Sequence, residues 1–136
     1  MDALRWIFGL PLAIILTLFF HWVWQSILGD ALYNYTTQHP QLSHVIKITE
    51  VAITNGLLVF LSCWFIPSSK KYIGLGWILL HFGYGILLHF NNHVIQDTGI
   101  ADFLDNFFPT AGLLLGFYIS YLLFKDKGWN SSPQPN

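Results

Sequence analysis

The residues of this chain that could do chemistry are its histidines and one glutamate. His81, His89 and His93 fall in the stretch HFGYGILLHFNNH, otherwise apolar enough to live in lipid. Trp77, His81, Gly85, His89 and His93 are spaced by four. On a helix this makes one slowly winding stripe, drifting by about 40° per step. His21 and Glu50 lie in two other apolar runs. Three chemistries fit these residue types. His89 and His93 at i, i+4 present two imidazoles on one face, and Glu50 would complete a 2-His-1-carboxylate metal set suited to non-haem iron or zinc. His21 with His81 or His89 would instead ligate a haem from both faces, with Gly74, Gly76, Gly83 and Gly85 making room for the ring. Glu50, His21, His81 and His89 would also serve as a proton relay, because intramembrane ionisable groups often mark such paths. Only Ser62, Cys63, Ser120 and Tyr121 continue it inward.

A fourth reading assigns these groups no chemistry. Polar side chains between membrane helices act as hydrogen-bond glue worth about 0.6 kcal/mol each. The spacing H-x-x-x-H is common by chance. The chain has no E-x-x-H pair from two helices and no C-x-x-C-H, and it offers no nucleophile beside a base.

The elements that must carry these residues are apolar helices. The 136 residues are 54% hydrophobic and 10% charged, against about 25% charged in soluble domains. Mean hydropathy is +0.50. The net charge of -1 lacks the basic footprint that nucleic acid requires. Cys63 is the one cysteine and reads as a small packed residue.

Apolar segments cover residues 6–28, 46–66, 72–90 and 107–124, each near the ~20 residues that cross a bilayer. Arg5, Lys70, Lys71, Lys125 and Lys127 all fall on one side of a four-span chain, and Lys47 alone on the other. The excess of basic residues marks the cytoplasmic side. The expectation is therefore an all-α integral membrane protein: four transmembrane helices in an up-down-up-down bundle, both termini cytoplasmic, in a bacterial inner membrane. Residues 1–124 form the transmembrane domain and residues 125–136 a polar, disordered tail.

Pro40 disfavours helix at His39, so the second helix starts after it. In DTGIADFLDNFFP, Ile100, Phe103, Leu104 and Phe107 recur at helical spacing, with Asp102 and Asp105 on the other side. This predicts a short interfacial helix before the fourth span. Small residues let membrane helices approach closely. Gly112, Gly116 and Ser120 form such a stripe, as do Gly9, Ala13 and Thr17, which His21 and Gln25 extend at the same spacing. At ~1.5 Å per residue from each span's middle, His81 lies near the midplane. His21, Glu50 and His89 lie roughly 6, 9 and 11 Å outward, where they are expected to converge.

These readings rank a non-enzymatic role first: an accessory subunit or interaction protein, with the lipid bilayer and a partner membrane subunit or a second copy as its contacts. A redox protein binding haem or a transition metal is second, and a proton- or ion-conducting bundle third.

Overall fold

The structure, a computed structural model, describes the backbone of residues 2–29, 40–92, 100–127 and 129, and their side chains except at 2–3, 29, 40–41, 88–92 and 100–106. The described residues are helical, with no strand among them. α1 spans Asp2–Trp24 and runs on into a π-helical turn, Gln25–Gly29. α2 spans Pro40–Phe65, α3 Lys70–Asn92 and α4 Ile100–Phe124. Pro40 opens α2 in the first-turn position, where its missing N–H costs nothing.

Three stretches are long and apolar enough to cross a membrane: Leu4–Leu28, Leu42–Phe65 and Phe107–Phe124. Large apolar side chains such as Ile7, Phe8, Leu79, Leu87 and Leu115 point outward, as a protein solvated by lipid requires. α3 is as long as α1 but its apolar content is diluted by Gly74, Gly76, Gly83, Gly85 and His81.

α2 is the axis of the molecule. It touches every other helix, and its interface with α4 is the most extensive. Among the described residues, α2 is the one other α-helix that α1 touches. Small residues set the α2–α4 crossing. A Cβ on Gly56 would stand 2.8 Å from the Gly112 carbonyl oxygen. A Cβ on Gly112 would stand 2.8 Å from Ala52 Cα, and one on Gly116 2.8 Å from Gly56 Cα. No side chain fits at such distances, so the two backbones are in contact. Ser120, one turn on, is fully buried and donates to the Gly116 carbonyl at 2.7 Å.

On α1, Gly9 packs on Phe65, Ala13 is fully buried, and Thr17 donates to the Ala13 carbonyl at 2.8 Å. The core of Val59, Cys63, Ile78 and Leu113 is closed by Trp77, Phe117 and Phe124.

Two local expectations change. Residues 100–107 do not form a separate interfacial helix: α4 runs unbroken through Pro109. Pro109 removes one backbone donor, a loss that membrane helices tolerate. Trp129 is not loose tail: it is 3% exposed, with its ring on Phe117 at 5.1 Å and on Tyr121 at 5.5 Å. An indole's apolar area outweighs the polarity of its neighbours in sequence. The rest of the tail after Trp129 lies outside the described residues, as do Asp30, His39, His93 and Asp97 and the side chains of Asp102 and Asp105.

Candidate functional site

Glu50 is a carboxylate on α2 with a side chain only 4% exposed. A charge so enclosed needs partners, and α1 supplies them. His21 Nδ1 lies 2.7 Å from Glu50 Oε1. Gln25 Nε2 donates to Oε1 at 3.0 Å and to Oε2 at 2.8 Å. His21 and Gln25 continue the stripe of Gly9, Ala13 and Thr17, so one face of α1 carries both the close packing and the donors. Gln25 stands where the winding changes to π-helix. That wider turn changes the angle between His21 and the residues after it, a feature often found at functional positions.

If Glu50 is ionised, both its oxygens only accept, and the hydrogen of this contact sits on His21 Nδ1. His21 Nε2 is left with no hydrogen-bond partner among the described residues, and the side chain is 49% exposed. A carboxylate that fixes the tautomer of an imidazole is the arrangement that orients histidine ligands on metals. One turn along α2, the buried Thr54 hydroxyl has no hydrogen-bond partner among the described residues.

His81 is differently placed. It lies mid-way along α3 on the face that carries Gly74, Trp77 and Ile78. Those three are engaged. A Cβ on Gly74 would stand 2.8 Å from Phe117 Cε2, Trp77 Nε1 donates to Ser62 Oγ at 3.0 Å, and Ile78 is in the core. At His81 and Gly85 the same face is only partly buried. His81 is half-buried, contacts the ring of its own neighbour Phe82 at 6.5 Å, and makes no hydrogen bond among the described residues. One turn on, Gly85 has open space where a side chain would stand. Among the described residues, α3 is therefore docked through Ile78 and more open over the next turn.

The remaining candidates fall apart into separate places. α1 and α3 make no contact among the described residues, so His21 and His81 share no pocket there. The His89 side chain and all of His93 lie outside the described residues. The metal set of Glu50, His89 and His93 thus has only its carboxylate in view. Among the described residues, no group of three or more His, Cys, Asp or Glu side chains is disposed to hold a metal ion.

Sequence reasoning missed Lys70. Beyond the second span, its ammonium is 4% exposed and donates to the carbonyls of Cys63, at 2.6 Å, and Ile66. It also lies 4.8 Å from the centre of the Phe124 ring. Those carbonyls are orphans of the end of α2. Burial lowers the Lys70 ammonium below its ordinary range, and the Arg5 charge pushes it the same way. Set against known proteins, the chain matches no family model, no curated protein and no solved structure.

Proposed function

We propose that this protein is a four-span membrane protein that acts without catalysis, as an accessory or interaction subunit that receives a partner helix along α3. It resides in a bacterial inner membrane with both termini in the cytoplasm. One observation carries the reading: mid-way along α3, His81 has no hydrogen-bond partner among the described residues, and a Cβ on Gly85, one turn on, would meet nothing within 4 Å. An imidazole at that depth is costly toward lipid, and such groups almost always face protein or water. A helix with a small residue at Gly85 and a donor or acceptor near His81 would meet both needs.

Alternation of the spans has its own support. Arg5 near the start of α1, Phe65 at the end of α2, Lys70 at the start of α3 and Phe124 at the end of α4 line one cavity, as helices of alternating direction would arrange them. The cluster of Arg5, Lys70, Lys71, Lys125 and Lys127 in sequence supports that end as cytoplasmic. Two small-residue stripes, on Gly9 and Ala13 and on Gly112, Gly116 and Ser120, serve the protomer itself.

The test replaces His81 by leucine. In a partner-binding protein His81→Leu leaves the isolated protomer at least as stable in mild detergent, because lipid-facing leucine is favoured over imidazole. The same variant loses whatever polypeptide co-purifies stoichiometrically with the wild type from native membranes. Loss of protomer stability would instead make His81 an internal bond, contrary to the reading.

A second reading keeps the histidines as ligands, and it rests on His21, whose Nδ1 is held by Glu50 while Nε2 is unused. A haem or transition metal would take that nitrogen. An absorption spectrum of oxidised and reduced protein, with elemental analysis, separates the two readings: a reducible Soret band or one metal per chain favours the ligand reading over the partner helix.

A further inference from the structure

Where α1 begins and α4 ends, a cavity of about 410 Å³ is lined by Arg5, Lys70 and Lys127 together with Trp64, Pro67 and Phe124. Its three cations face no carboxylate in the lining. Lys70 is committed to the carbonyls of Cys63 and Ile66, which leaves at most one of its three N–H groups. Arg5 and Lys127 are exposed and form no ion pair among the described residues, and neither does the exposed Asp126. The Arg5 and Lys70 charges repel each other across this space, so a bound anion would relieve both.

The rest of the wall is apolar. Trp64 is 57% exposed at the end of α2, at the depth where indoles favour the headgroup region. Its ring lies edge-on to Phe124 at 5.8 Å. A free phosphate would use the cations and leave this wall bare. A phospholipid would use both, with its phosphate at Arg5 and Lys127 and its glycerol and first methylenes against Trp64 and Pro67. Basic pockets between membrane helices on the cytoplasmic side bind acidic headgroups.

We infer that this cavity is a binding site for an anionic glycerophospholipid, held by Arg5 and Lys127 over the Trp64–Phe124 wall. It is independent of the partner surface on α3, since it lies at the other end of that helix's docked half. Each basic side chain near an acidic headgroup changes affinity roughly fivefold.

Native mass spectrometry tests the site on the full chain. The protein is released from vesicles of equal phosphatidylglycerol and phosphatidylcholine. The expected result is about 25-fold preferential retention of phosphatidylglycerol, unaffected by 50 mM inorganic phosphate. The double variant Arg5→Gln, Lys127→Gln falls to parity between the lipids. The charge-keeping double variant Arg5→Lys, Lys127→Arg retains the preference and guards against a folding defect. Equal retention by the wild type would overturn the proposal, as would an undiminished preference in the Gln variant or its loss in the charge-keeping one. Displacement by millimolar phosphate would overturn the lipid assignment in favour of a simple anion site.

Discussion

Glu50 takes hydrogen bonds on both oxygens, and every donor comes from one face of α1. Removing His21 leaves a buried carboxylate with Gln25 alone, and removing Glu50 strands two donors. A double-mutant cycle over His21→Ala and Glu50→Ala is expected to give a coupling of about 1–2 kcal/mol, the upper part of the range for polar pairs between membrane helices. Reversible unfolding in detergent measures it, and a coupling near zero would make the 2.7 Å contact incidental. The meeting of His21 and Glu50 is legible in the sequence, because the spacing of four from Gly9 through Thr17 carries His21 onto the packing face. Gln25 is on that stripe too, yet nothing in the sequence marks it as the second donor, since its reach depends on where the helix turns to π. Lys70 reads in sequence only as a topological charge. Its burial depends on α2 ending where its carbonyls need a cap, and no local pattern states that.

Helix stripes divide by what lies across from them. Gly112 and Gly116 meet the backbone of Ala52 and Gly56, whereas Gly76, Gly83 and Gly85 meet nothing within 4 Å. Gly112→Val is expected to cost at least about 2 kcal/mol, since backbone cannot move aside as a side chain does. Gly76→Ala is expected to be neutral or to stabilise by up to about 1 kcal/mol, because glycine is a poor helix former. Thermal unfolding of the two variants in the same detergent compares them directly, and equal losses would contradict the packing described. The sequence marks these glycines alike. Which of them meet a neighbour follows from the crossing of α2 and α4, a tertiary choice that small residues permit but do not dictate. The separate interfacial helix expected before the fourth span fails for a similar reason. Proline ends helices in water, but inside an apolar helix the freed carbonyl finds other cover.

Across the described residues, α2 holds α1 and α4, and α3 is packed closely over its first half. Three of the four expected apolar spans, all but residues 72–90, were legible from composition and length, and the alternation of basic residues suggests the proposed crossing. For the topology, Cys63 is first replaced by alanine. Single cysteines at Ser68 and at Lys127 are then expected to react with a membrane-impermeant maleimide only after the cytoplasmic face is opened. Labelling of either in intact cells would reverse the proposed orientation. What the sequence does not show is that His81 has no hydrogen-bond partner among the described residues, because a missing neighbour leaves no signature in the chain that lacks it. The measurement that reaches this point most directly is photo-crosslinking in native membranes. A benzophenone side chain replaces Tyr84, which flanks His81, and separately replaces Phe8 on the outward side of α1; both residues are exposed. The account predicts a discrete adduct with a second polypeptide from position 84 and lipid adducts alone from position 8. Lipid adducts alone from both positions would contradict it.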